Sequence, residues 1–183
     1  MPNEVQINEL NKKMGQITLK WGIDKLQECY KNIPRKKVSY GALNTLFTLV
    51  RPKITVDQRD LEFYLTDWNV WSNFLEVVLP DKIDYFPDRF DCDNYAFWTS
   101  ALASRTMLVN SCGVAHCTTY DKYTDKVVAG HYINLIAAND GVYAFDLNMK
   151  SYSKGCGWVK VEKDIDPIIG PWKYKDIYKV TCF

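Results

Sequence analysis

Phe90-Asp91-Cys92-Asp93-Asn94-Tyr95-Ala96-Phe97-Trp98, continued by small residues to Ala103, is the stretch that decides how the chain reads. Asp91 is a good N-cap type, so Cys92 falls at the first helical position. There the unpaired backbone N–H groups and the positive dipole end favour an anion. That placement favours a thiolate over a thiol. The capping box is imperfect, because Asn94 stands where Glu or Gln is usual. The plain alternative is a small cysteine in a core helix, since free Cys is among the most buried residue types.

After this helix, which is expected to end near Met107, the pattern changes from period 3.6 to period 2. Gly113 to Tyr120 alternates small and polar residues, Tyr123-Thr124-Asp125-Lys126 supplies a turn, and Val127 to Ala137 is rich in β-branched and apolar residues. Asn139-Asp140-Gly141 is a hairpin signal that leads into a strand from Val142 to Leu147. Gly157 to Val161 and Tyr174 to Cys182 read as further strands. An antiparallel sheet preceded by a cysteine-bearing helix, packed on one face, is an α+β layout.

Upstream, Ile7, Leu10, Met14, Ile17 and Trp21 form an a/d-type stripe, so residues from about 5 to 31 read as an amphipathic helix weakened by Gly15 and Gly22. The segment Tyr40 to Val50 is ambiguous between helix and strand, and Ile54-Thr55-Val56 reads as a strand. Asp57 to Asp67 and Trp68 to Leu79 read as one or two helices, and 81–89 as a loop. The expected organisation is an N-terminal helical extension over 1–50 and an α+β domain over 51–183.

With 183 residues, 47% of them hydrophobic and 14% aromatic, the composition is that of a folded domain. Lys and Arg number 23 against 22 Asp and Glu, so electrostatics offer no support for a nucleic-acid or membrane-surface partner. The N-terminus lacks a signal-peptide pattern, and no run of about 18 apolar residues exists. A soluble protein, cytoplasmic or virion-associated, is expected, with reduced thiols among its six cysteines. Cys112, His116 and Cys117 are close together, but adjacent residues on a strand point to opposite faces, so no metal and no cofactor is expected.

A nucleophilic cysteine needs a base, and the imidazole needs a group that fixes its orientation. Only two histidines exist, and His131 follows Gly130 in the strongest strand. His131 shares a strand face with Ile133, Leu135 and Ala137, and Val142, Ala144, Asp146 and Asn148 form the matching face of the next strand. If Ala137 pairs with Val142, Asn148 falls opposite His131 and Asp146 lies one diagonal step away. A two-residue turn would shift the register and move Asp146 out of reach. A lone strand histidine is more often structural than catalytic; the combination of the three positions raises the functional reading.

Asp91-Cys92-Asp93-Asn94-Tyr95-Ala96, Gly130-His131-Tyr132-Ile133-Asn134-Leu135 and Tyr143-Ala144-Phe145-Asp146-Leu147-Asn148 together resemble the three motifs of transglutaminase-like and papain-like cysteine peptidases. The order and short spacings look most like the bacterial transglutaminase-like cysteine proteinases, and like the papain-like domain attached to a mushroom agglutinin with its phage and bacterial relatives. Tyr85-Phe86-Pro87-Asp88-Arg89-Phe90 is similar to the aromatic lead-in of that last group. The resemblance covers residues of about 60 to 150, without the N-terminal helix, and with no lectin domain. It implies a papain-like/transglutaminase-like core, with Cys92 as nucleophile, His131 as general base and acid, and Asp146 as orienting group. An amide fills that last role in the papain branch, which keeps Asn148 as a second candidate. The Cys92 N–H supplies one oxyanion donor; a donor side chain is not placed, Tyr85 and Trp68 being the nearest guesses.

The expected function is a thiol hydrolase of peptide or amide bonds acting on a peptide or protein substrate, with acyl transfer if an amine replaces water. A cell-wall peptide amidase ranks lower, since Ser-Gly follows Asp-Cys in those proteins and Asp93-Asn94 follows here. The non-enzyme alternative is an unused transglutaminase-like scaffold serving as a structural or interaction protein, phage or viral, with the N-terminal stripe as a homo-oligomer contact.

Overall fold

A computed structural model describes residues 22–79, 91–149 and 157–182. The apolar stripe from Ile7 to Trp21, the aromatic lead-in from Tyr85 to Phe90, and Cys156 lie outside the described residues. Of the helix expected over 5–31, residues 22–30 are described and are helical, here α1. The chain continues through β1 (Lys36–Ser39), α2 (Tyr40–Val50), β2 (Thr55–Gln58), β3 (Glu62–Leu65), α3 (Trp68–Val77) and α4 (Cys92–Met107). The remainder is β4 (Cys112–Asp121), β5 (Val127–Ala138), β6 (Gly141–Phe145), a 3-10 turn (Leu147–Met149), β7 (Trp158–Lys160), β8 (Ile168–Ile169) and β9 (Trp172–Cys182).

Local chemistry explains the two segments that the sequence left open or misassigned. Tyr40–Val50 is a helix because Ser39 caps it, its hydroxyl accepting from the Ala42 N–H at 3.3 Å, and because Leu43 and Phe47, one turn apart, are both fully buried. The helix expected across Asp57–Asp67 is corrected to strand. In Glu62–Leu65 the exposed Glu62 and half-buried Tyr64 alternate with buried Phe63 and Leu65, a period of two that pairs antiparallel with β1. Acidic and aromatic residues mixed in one window concealed that alternation.

The main sheet runs β2-β9-β4-β5-β6-β7, with β8 also on β9. All its pairings are antiparallel except β2 with β9, which is parallel. Both faces are covered. One cluster joins Leu43 and Phe47 of α2 to Ala115, Cys117, Ile133, Leu135 and Ala144. The other joins Trp71 and Phe74 of α3 and Tyr95, Ala103 and Met107 of α4 to Cys112, Ile136, Ala138 and Phe145. The second half of β5 is therefore apolar on both faces, which is why it reads as a continuous hydrophobic run.

The expected α+β layout with a papain-like/transglutaminase-like core, a helix packed on one face of an antiparallel sheet, is corrected accordingly. Strands hold more of the described residues than α-helices, and β2, from before the cysteine helix, enters the sheet in parallel and makes it mixed. The physical reason is that α2 covers the face opposite α4, so the sheet is an inner layer and not the floor of a two-layer domain. β1 and α2 take part in this body. Among the described residues no helix is long and apolar enough to cross a membrane.

Candidate functional site

Cys92 is the first residue of α4 and is partly exposed. Asn94 does the work that Glu or Gln does elsewhere, its Oδ1 accepting from the Asp91 N–H at 3.2 Å. Two buried side chains then pin the helix to the sheet. The Ser100 hydroxyl donates to the Cys112 carbonyl at 2.6 Å. Asn134 of β5 donates to the Ala96 carbonyl at 2.9 Å and lies 3.4 Å from that of Gly113. The first turn of α4 is thus held against the middle of β5.

His131 sits in β5 opposite Cys117 of β4 and is 7% exposed. β5 and β6 pair from Ala138 with Gly141 through Ala137 with Val142 to Asn134 with Phe145, where the ladder ends. The turn is therefore the two residues Asn139 and Asp140, and the expectation that a two-residue turn moves Asp146 out of reach is corrected, because Ala137 still pairs with Val142 across it. Asp146 follows at once. Its N–H bonds to the Gly157 carbonyl at 2.8 Å, and its side chain turns back so that Oδ2 lies 2.8 Å from His131 Nε2. Asn148, in the 3-10 turn, meets Asp146 through its backbone: its N–H donates to Oδ1 at 2.9 Å. The structure therefore brings Cys92, His131 and Asp146 together and gives Asn148 a place behind the carboxylate.

Burial by itself would lower the His131 pKa, but hydrogen bonds to Asp146 and to Cys92 outweigh it and raise the imidazole from 6.5 to about 9. With Nε2 engaged by Asp146, Nδ1 is the ring nitrogen left for the Cys92 sulfur. An imidazole held in this way can share a proton with a neighbouring thiol. Beside the pair, Cys92, Tyr95, Tyr132, Asn134 and the Phe145–Asn148 turn pack against one another and leave no space between them for a water-sized group.

Three residues of the neighbourhood escaped the sequence reading. Asn134 had a usable signal, being a polar residue inside an apolar strand run. Tyr174, whose hydroxyl donates to Asp146 Oδ2 at 2.8 Å, and Trp172, whose ring stands edge-on to His131 at 5.4 Å, had none, because β9 reaches the site only through the tertiary fold. Of the guessed oxyanion donors, Tyr85 lies outside the described residues and Trp68 is stacked on Tyr143 at 3.5 Å. Cys112 and Cys117 are buried in different core clusters while His116 is exposed, so these three do not converge.

No family model matches the chain, and no curated protein matches it. Among solved structures it is similar to the PSL1a-E64 complex, with a TM-score of 0.54 at 12% identity over 79% of this chain and 51% of that one. It is similar also to the Polyporus squamosus lectin bound to the human-type influenza-binding epitope Neu5Aca2-6Galb1-4GlcNAc, with a TM-score of 0.51 at 14% identity over 80% of this chain and 49% of that one. The chain spans about half the length of these solved chains, and the likeness is one of fold. It corrects the resemblance to transglutaminase-like and papain-like cysteine peptidases: the fold found is shared with a lectin chain, and no sequence comparison supports a peptidase family. The same finding corrects the peptide- or amide-hydrolase reading, the cell-wall amidase drawn from Asp91-Cys92, and the unused transglutaminase-like scaffold with its phage association. The comparisons give no support to a peptide substrate either.

Proposed function

We propose that this domain presents a nucleophilic thiol, with Cys92 as the nucleophile, His131 as its proton partner and Asp146 as the group that orients the ring. The observation that carries the reading is the buried 2.8 Å contact between His131 Nε2 and Asp146 Oδ2, on a ring that also hydrogen-bonds to Cys92 at a helix start. The proton of Sγ passes to Nδ1, the thiolate forms a bond to an electrophilic carbon of the ligand, and the imidazolium returns the proton to the atom that takes up the electron pair. The function is thus covalent thiol chemistry on a ligand bound at the α4 N-terminus.

The chain carries its own control for this. Cys29 is a free, exposed thiol. Labelling with iodoacetamide from pH 5 to 9, read peptide by peptide by mass spectrometry, should modify Cys92 faster than Cys29 below pH 7, and His131→Gln should remove the advantage. Equal rates for Cys92 and Cys29 across the range would sink the proposal.

Glycan recognition is the second reading, favoured by the fold likeness to a lectin described as bound to Neu5Aca2-6Galb1-4GlcNAc. Calorimetric titration with that trisaccharide tests it independently of the thiol. Binding that survives Cys92→Ala would support recognition without covalent chemistry.

A further inference from the structure

Tyr174 of β9 is fully buried, and its hydroxyl donates to Asp146 Oδ2 at 2.8 Å. The same oxygen faces His131 Nε2 at 2.8 Å, while Oδ1 accepts from the Asn148 N–H at 2.9 Å. One carboxylate oxygen therefore serves two donors that arrive from different strands. A charged acceptor divides its strength among its donors, so the second donor weakens its hold on the first. Phenylalanine would fill the same space, and it is the hydroxyl that requires an explanation.

We propose that Tyr174 is a positioning residue of the thiol site: by sharing Asp146 Oδ2 with His131 it limits how tightly the carboxylate holds the ring's proton. The inference rests on the thiol reading above. Without that limit, the imidazolium formed when Cys92 gives up its proton would be too stable to give the proton back. With it, the Nδ1 proton can return when the new carbon–sulfur bond forms and the ligand's electron pair needs a partner. No other reagent enters the step.

The groups facing His131 come from four places: Asp146 after β6, Cys92 from α4, Tyr174 and Trp172 from β9, and Cys117 from β4, whose Sγ lies 3.5 Å from the His131 carbonyl. Burial first, and then Asp146, push the Tyr174 hydroxyl far above its ordinary range, so it remains a donor. Burial likewise pushes the Cys117 thiol up, so it adds no charge. The balance at the ring is set by Asp146, by Cys92 and by how much of Asp146 Tyr174 takes.

The test is Tyr174→Phe in the full chain, read by NMR titration of the two histidine Cε1–H signals, with exposed His116 as the reference. The His131 midpoint should move up by about half a pH unit or more, as one donor fewer competes for the carboxylate. His116 should not move, and the rise of Cys92 alkylation with pH should shift with His131. A hydroxyl that only packs would leave the His131 midpoint unchanged, or lower it by loosening Asp146; either result overturns the proposal. If Tyr174→Phe does not fold, 3-fluorotyrosine at position 174 is nearly isosteric and a stronger donor, and it must lower the His131 midpoint. No change or a rise there overturns it equally. Failure of the thiol reading looks different: Cys92 in the unaltered chain would then react no faster than Cys29, whatever Tyr174 does to the titration.

Discussion

His131 Nε2 and Asp146 Oδ2 stand 2.8 Å apart across the point where the β5–β6 ladder stops, so the contact belongs to the end of a hairpin and not to a cross-strand pair. The last ladder pair is Asn134 with Phe145, and the side chain of the next residue, Asp146, reaches along the strand to His131. A carboxylate in that position is held by the geometry of the turn that follows it.

The first prediction concerns the imidazole. Its raised value, about 9 against 6.5, should appear as an NMR titration midpoint well above 6.5. Asp146→Asn removes the larger of the two favourable contacts, so the midpoint should fall; Cys92→Ala should produce a smaller fall. The sign for stability follows, because the folded value lies above the unfolded one. The contribution is fully present below pH 6.5 and is lost as pH rises through about 9, so the urea midpoints of the unaltered chain and Asp146→Asn should converge over that window. A gap that widens with rising pH would refute the assignment.

Asn134 supplies the second. Its amide donates from β5 to the Ala96 carbonyl at 2.9 Å in a buried setting, so Asn134→Leu should cost about 1–3 kcal/mol in urea unfolding. Asn134→Asp should cost more than Leu, because it sets a carboxylate against the carbonyls of Ala96 and Gly113 in place of a donor. If Asp were tolerated better than Leu, the donor role would be wrong. Both variants should slow Cys92 alkylation, since Ala96 lies in the turn of α4 that carries the thiol.

Much of this site was legible because its parts obey local rules. Asp91 before Cys92 marked the helix start, Asn139-Asp140-Gly141 marked the hairpin, and the pairing of Ala137 with Val142 is the register that puts Asp146 within reach. What could not be read was set by partners distant in the chain. Glu62–Leu65 is a strand because β1 pairs with it, and β2 joins the sheet only because β9 lies beside it. Tyr174 to Cys182 reads as a strand, but no local pattern announces that β9 brings Tyr174 to Asp146. The family resemblance failed for a related reason, since three short motifs describe a constellation and not the fold that carries it.

Gly113 gives the third prediction. A Cβ there would clash with Val180 Cγ2 and would meet Cys182 Sγ at 2.9 Å, where β4 lies beside β9. Both neighbours are fully buried and cannot swing away. Gly113→Ala should therefore destabilise by about 1–3 kcal/mol through overpacking, measured by urea unfolding. A neutral result would mean that β9 can shift, and the same variant should then disturb Tyr174 and with it the His131 titration.

Asn148 separates backbone from side chain. The contact that holds Asp146 Oδ1 is the Asn148 N–H at 2.9 Å, so the amide group can be deleted without touching it. Asn148→Ala should leave Cys92 alkylation within about twofold, the rate change of less than half a kcal/mol expected where no essential contact is lost. Asn148→Pro removes the N–H that fixes the carboxylate in place and should slow alkylation more than Ala does. Proline also restrains Leu147, the residue before it, so the comparison needs a second reading. Asn148→Ala combined with Asp146→Glu keeps the N–H but lengthens the acid, and should lower the His131 midpoint without the backbone change. If Ala slowed the thiol as much as Pro, the amide side chain would be the orienting group, as the sequence had kept open.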